Sequence, residues 1–165
     1  MNKQLLIVRH AKSDWGNIDL RDFDRPLNER GFKSANNMGE RLLAKAIKPD
    51  FIISSPALRA ITTCEIITNK LGLDEKTIIT NKNIYEARTE QLLNIVNELD
   101  NDNNLVVLFG HNNGVTDLTV YLTDADIFNI PTCGMVLIDF PFNDWKMVSK
   151  NTGTVNFYDY PKNKG

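Results

Sequence analysis

A chain of 165 residues, 42% hydrophobic and 24% charged, is long enough to bury a core without disulfide or metal staples and is expected to form one domain, residues 1–165, with no cap domain. Its 19 Lys and Arg against 21 Asp and Glu leave a formal charge of −2, so it lacks the global basic signature of a nucleic-acid binder. No apolar run approaches the roughly 18 to 20 residues of a membrane span, and MNKQLLIVRH is too short in apolar residues for a secretory leader, which together predict no membrane partner and a cytoplasmic protein.

In chain order, Gln4 to Val8 is a short apolar run rich in branched residues and reads as a strand. Phe32, Ala35, Gly39, Leu42, Leu43 and Ala46 then recur at helical spacing, between a candidate N-cap at Asn28 and Pro49. Phe51 to Ser54 reads as the next strand. The stripe Leu58, Ile61, Cys64, Ile67 and Leu71 follows, with Ser55 and Pro56 as N-cap and first-turn proline and Gly72 past its end. Thr77 to Thr80 reads as a third strand. A third helix is expected over Leu92, Leu93, Val96 and Leu99, ended by Asp100 to Asn104, then a fourth strand, Leu105 to Phe109, and a fourth helix, Val115 to Leu122. Each of the four strands reads as buried on both faces. Met135 to Phe140 and Trp145 to Val148, around Pro141 to Asp144, read as a closing hairpin. The alternation predicts an α/β three-layer sandwich: a mostly parallel central sheet, helices on both faces and a C-terminal hairpin. Cys64 and Cys133, without metal-ligand spacing, read as buried free thiols.

In such sheets the ligand site lies beyond the carboxyl ends of the strands. The first strand runs into Arg9 and His10, the second into Ser54, Ser55, Pro56 and then Arg59, the third into Glu86, and the fourth into Gly110 and His111. These are the only two histidines in the chain. Singly, each residue reads as a rim or hydrogen-bonding side chain. Arg59 argues further, because a cation in the first turn of a helix opposes the macrodipole at a cost of roughly 0.3 to 1 kcal/mol, which a bound anion would reverse. Two guanidiniums and an imidazolium can supply the donors that a transferring phosphoryl group needs without a metal. His10 must be neutral to attack, and the cations around it should lower its pKa, whereas His111 beside a phosphate dianion should be raised and act as a donor.

These segments resemble the histidine phosphatase superfamily, also called phosphoglycerate mutase-like. LLIVRHAKSDW resembles its first motif, SSPALRAITT its second and VVLFGHNNG its third, in family order from residue 5 to about residue 115, and DRPLNERG resembles the segment leading into the family's first helix. The resemblance implies His10 as a transiently phosphorylated nucleophile, with Arg9, Arg59 and His111 completing the phosphate pocket. Most of the family carries Gly after the first His. Ala11 stands there here, a replacement associated with the short SixA-type branch. Glu86, in NIYEARTEQ, occupies the place of the acid that many members carry after the third strand, and would protonate the leaving group and then activate water. Lys12 and Ser13 are expected at the mouth of the site, with Ser13 binding substrate. Trp15 and Phe23 read as core-capping residues, and Asp24 and Arg25 as a local structural pair.

The reading that follows is a phosphatase working through a phosphohistidine intermediate on a phosphohistidine of a partner protein. The alternatives are a phosphatase of a small phosphorylated metabolite and a non-catalytic phosphate-binding module. The protein substrate is preferred because no stretch is long enough to fold as a lid over a small ligand. Catalysis is preferred over binding because binding needs only the arginines. No cofactor is expected, and no metal site, since both histidines are assigned to the pocket and no carboxylate cluster has ligand spacing.

Overall fold

The structure, a computed structural model, describes residues 1–164. Strand β1 (Gln4–Arg9) lies inside a six-stranded sheet because it is apolar on both faces. Leu5 and Ile7 enter one core and Leu6 and Val8 the other, as the two-residue period of a strand requires. Helix α1 (Glu29–Ala44) is capped by the Asn28 side chain, which accepts from Gly31 N–H. Strand β2 (Phe51–Ser54), helix α2 (Leu58–Lys70), strand β3 (Ile78–Thr80), helix α3 (Thr89–Asn97), strand β4 (Leu105–Gly110), helix α4 (Gly114–Thr123) and strands β5 (Met135–Asp139) and β6 (Thr154–Asp159) complete the order.

The sheet runs β3-β2-β4-β1-β5-β6, with β1, β2, β3 and β4 parallel and β5 and β6 antiparallel at one side. Helices cover both faces. Ala35, Met38 and Leu42 of α1 and Cys64 and Ile67 of α2 pack on Leu6 and Val8, whereas Leu92, Ile95 and Val96 of α3 and Val115, Leu118 and Leu122 of α4 pack on Leu5 and Ile7. Neighbouring strands β1 and β4 therefore deliver the chain to opposite faces, and a crevice opens at their carboxyl ends.

Four sequence expectations are corrected. The closing hairpin pairs β5 with Thr154–Asp159, while Trp145–Met147 is a 3₁₀ turn whose tryptophan is fully buried and donates its indole N–H to the Asn103 carbonyl at 2.8 Å. That apolar cluster plugs the core rather than pairing with the sheet. Strand β3 is an edge strand with Ile79 exposed, so it is not buried on both faces. On α1, Met38 and Gly39 turn inward while Phe32 and Leu43 face solvent. Helix α2 starts one residue after Ala57, and Ser55 does not cap it in the ordinary way: its hydroxyl accepts from Ala57 N–H and is shared with His111. Cys64 and Cys133 are buried and free as expected, and burial pushes each thiol up to about 12.

Candidate active site

His10 leaves the end of β1 with its backbone N–H on the Gly110 carbonyl at 3.1 Å, and Cys133 N–H returns to the His10 carbonyl at 2.9 Å. The residue is thus pinned from β4 and from the segment before β5. Its Nδ1 lies 2.7 Å from the Ala11 carbonyl oxygen, and Arg59 Nε lies 3.4 Å from its Nε2. A carbonyl can only accept and a guanidinium can only donate, so both contacts assign the same tautomer: the proton on Nδ1 and the lone pair on Nε2. Burial is the main cause that pushes the imidazole from its ordinary 6.5 to about 4. The bond to Ala11 opposes the shift, and the charges of Arg59, Arg9 and Arg25 add to it.

Arg59, in the first turn of α2, is buried and makes its other two bonds to one residue. Its Nη1 donates to the Asp22 carbonyl at 2.6 Å and its Nη2 to Asp22 Oδ2 at 2.9 Å. The charge that opposes the helix dipole is therefore met by the protein's own half-exposed carboxylate, from a 3₁₀ turn at Asp22–Asp24. The same carboxylate accepts from Arg25 Nε and Nη2 at 3.1 and 3.0 Å and from the Tyr85 hydroxyl at 2.6 Å. Burial pushes the Asp22 carboxyl up, but the bonds from Tyr85, Arg59 and Arg25 outweigh it and hold the group well below the ordinary carboxylate range. Tyr85 is raised to about 12 by its own burial and by Asp22, so it stays a donor.

His111 directly follows β4, 5.2 Å from His10 between ring centroids, and its Nε2 lies 2.8 Å from Ser55 Oγ. Its pKa is lowered to about 3, first by burial and then by His10 and Arg59, against the opposing charge of Asp22. The cation expected there is thus disfavoured while no anion is present. Among the described residues, two buried side-chain polar atoms have no hydrogen-bond partner, Arg9 Nε and His111 Nδ1. Both belong to residues singled out at strand ends, and buried polar atoms are so regularly paired that two orphans in one crevice point to a ligand.

Glu86 is exposed and, with His111, Asn113 and Asp117, lines a cleft of about 500 Å³. Its φ of 58° is left-handed, a conformation that costs a non-glycine residue roughly 1 kcal/mol or more. Gly114 lies against this turn. A Cβ on that glycine would meet the Ala87 carbonyl oxygen at 2.6 Å, so only glycine lets α4 begin against the Glu86 segment.

The structure brings Arg9, His10, Arg59 and His111 to one crevice and sets Glu86 on its adjoining cleft. Ser13 is buried and its hydroxyl is bonded to Arg25, so its contact is with an arginine of the site. Arg25 pairs with Asp22, not with Asp24, which pairs with Arg21. Trp15 does not cap the core: it is 74% exposed and lies against the Arg25 guanidinium, 3.5 Å from ring centroid to Cζ. Phe23 packs edge-on against Tyr85. Asp22, Arg25, Tyr85 and Ser55 are the members of the network not picked out as site residues from the sequence. Ser55 stood beside a strand end, but Asp22 lay in an unpatterned loop. Among the described residues no group of three or more His, Cys, Asp or Glu is arranged to hold a metal ion, and no helix is long and apolar enough to cross a membrane.

An open α/β sheet with two arginines and two histidines at the ends of adjacent strands defines an anion-handling site of the phosphoryl-transfer kind. Residues 5–89 match the Histidine phosphatase superfamily (branch 1), and the chain belongs to that superfamily. An uncharacterized chloroplastic protein of Arabidopsis thaliana is 28% identical over 154 residues, 88% of this chain and 70% of that protein. The 2,3-bisphosphoglycerate-dependent phosphoglycerate mutase of Brucella anthropi is 38% identical over 81 residues, 47% of this chain and 39% of the mutase, so the chain spans well under half of that relative's length. Among solved structures, the putative phosphohistidine phosphatase SixA from Agrobacterium tumefaciens superposes with a TM-score of 0.82 at 26% identity, covering 98% of this chain and 99% of that one. The protein histidine phosphatase SixA complexed with tungstate gives 0.81 at 20% identity over 96% and 97%, a likeness of fold. Superfamily membership and the SixA likeness support a phosphatase.

Proposed function

We propose that this chain is a phosphatase in which His10 Nε2 takes the phosphoryl group and that its substrate is a phosphohistidine on a partner protein. The observation that carries the reading is the His10 tautomer, with a lone pair on Nε2 directed at Arg59 Nε in a pocket that keeps the ring neutral. In the first step that lone pair forms a bond to phosphorus as the substrate's N–P bond breaks, and the departing imidazole nitrogen takes a proton from Glu86, which recovers one from water in the second step. Arg9, Arg59 and His111 hold the equatorial oxygens. His111 can do so while neutral: if Ser55 donates to its Nε2, the proton resides on the partnerless Nδ1. In the second step water attacks the phosphohistidine, Glu86 accepts its proton, and the His10 N–P bond breaks to release phosphate.

The protein-borne substrate is supported by the likeness to SixA structures and by an exposed cleft beside His111. On the same reading, residues 1–165 act as one domain without a lid, and no metal takes part because arginines carry the phosphoryl charge. A turnover panel tests this: a phosphohistidine protein, an acyl phosphate and sugar phosphates, each with and without EDTA. The highest kcat/KM is expected for phosphohistidine protein, unchanged by EDTA. A higher value for sugar phosphates, or a rate restored only by added Mg²⁺ or Zn²⁺, overturns the substrate or the mechanism respectively.

A further inference from the structure

The cleft beside His111 continues along α3 and α4 into a second, more apolar groove of about 660 Å³, and the two share Thr89, Glu90 and Asp117. Leu93, Val120, Tyr121 and Ile127 form its apolar surface. Phe128 stands at its rim with 99% of its surface exposed. A large aromatic left in water beside an apolar groove marks an interaction site more readily than a solvated surface.

Phe128 is not on a loose tip. Its neighbour Asn129 accepts from Asn112, which follows His111 in the chain. The Ile130 carbonyl accepts from Arg9 Nη1 at 2.8 Å, and Ile130 N–H donates to Thr116 Oγ1 of α4 at 3.0 Å. The segment that presents Phe128 is therefore fastened to Arg9 and to the residue after His111. Along the same path the charge is acidic. Glu86, Glu90 and Asp117 line the cleft against one cation, Arg88, and none of the three carboxylates forms an ion pair among the described residues.

We infer that the groove between α3 and α4, with Phe128 at its rim, seats a basic amphipathic helix of the protein substrate, the helix that carries the phosphohistidine. The partner's identity as substrate rests on the phosphatase reading above; the groove's chemistry does not. Two helices flank the groove and no free strand edge runs along it, so it suits a helix with apolar anchors at i, i+3 or i+4, and i+7. Lys or Arg at the borders of that apolar face would meet Glu90 and Asp117, which favours encounter and fixes register. Where the groove passes into the cleft, the phosphorylated ring reaches His111 and His10.

Two designed helical peptides test this. Both carry one histidine and leucines at the anchor spacing; one has lysines bordering the apolar face and the other glutamates. Each is used unphosphorylated for fluorescence anisotropy and phosphorylated with phosphoramidate for turnover. Wild-type protein should bind the lysine peptide and turn over its phosphorylated form with kcat/KM about tenfold or more above the glutamate peptide, a difference that shrinks at high salt. Phe128→Ala should lose about tenfold on the lysine peptide through KM while kcat/KM for phosphoramidate itself stays unchanged, and Glu90→Gln with Asp117→Asn should abolish the preference for the lysine peptide over the glutamate peptide. Equal treatment of the two peptides by wild-type protein overturns the inference, as does a Phe128-dependent dimer in sedimentation without peptide binding. Absence of turnover on every substrate would sink the phosphatase reading alone, because the anisotropy still decides what the groove binds.

Discussion

The carboxylate of Asp22 sits on the guanidinium of Arg59, with Oδ2 at 2.9 Å from Nη2 and the Asp22 carbonyl at 2.6 Å from Nη1. An internal anion thus occupies the edge of the arginine that a phosphoryl group would use. It also offsets part of the charge of Arg9, Arg25 and Arg59, which would otherwise face one another around His10.

Removing that anion should strengthen binding of an external one. At an effective dielectric near 20 a unit charge at contact is worth about 4 kcal/mol, and the solvent that reaches Asp22 reduces this to about 1 kcal/mol. Asp22→Asn should therefore lower the inhibition constant for orthovanadate about fivefold. Weaker inhibition in the variant would mean that Asp22 serves to aim Arg59 and does not compete with the phosphoryl group.

His10→Ala should abolish turnover. Wild-type protein quenched during reaction should carry phosphate that survives alkali and is lost in acid, as a phosphoramidate on Nε2 would. The motivation is the lone pair held on that nitrogen by its two neighbours. Full activity in the variant would end the covalent mechanism.

Arg59→Lys should lose about a hundredfold or more in kcat, since a point charge cannot replace a planar fork whose Nε faces His10 while both Nη atoms bond Asp22. Single-turnover rates at saturating substrate check it. Wild-type rates would remove Arg59 from the reaction.

Glu86→Gln should slow phosphoryl transfer to His10, read as the pre-steady-state burst, far more from a phosphomonoester than from phosphohistidine. A departing imidazole is readily protonated on its ring, so the demand on an enzymic acid is lighter than for an alkoxide. Equal loss on both substrates would contradict the assignment of Glu86 as a proton carrier for the leaving group.

His10 and His111 titrate near 6.5 when unfolded and at about 4 and about 3 when folded, chiefly because burial disfavours their charged forms. As pH falls from 6.5 toward 4 the unfolded chain takes up protons that the folded one refuses. The stability these groups permit is full above about pH 6.5 and declines below it. Urea midpoints should therefore be lower at pH 5 than at pH 7, and His10→Gln should reduce the difference. A midpoint independent of pH over that window would refute the burial argument.

The strands β1, β2 and β4 were legible because each is a continuous apolar run feeding two cores, and the residues after them reached the crevice as the topology requires. The second arm of the hairpin was not legible. Trp145 to Val148 has a strand-like composition, but the indole fills the core, and Thr154–Asp159 pairs with β5 instead. Gly31, in DRPLNERG, was legible as a motif but not as a cause: a Cβ there would meet the Lys12 carbonyl oxygen at 2.1 Å, so the glycine lets α1 abut the segment after His10. Asp22 could not be read at all. Its partners Arg59 and Tyr85 lie 37 and 63 residues away, and no local pattern encodes a contact made only when two loops meet the start of α2.

The two tryptophans occupy opposite environments, one fully buried against Lys3 and one stacked on Arg25 in water beside the crevice. The molecule therefore carries two separable emitters: a blue one that reports on the integrity of the core and a red-shifted, quencher-accessible one at Trp15. With Trp145→Phe, the remaining fluorescence would come from a ring whose neighbour is an arginine bonded to Asp22. Arrival of an anion at the crevice would be seen without a label, as a change in the light of a residue that takes no part in the chemistry.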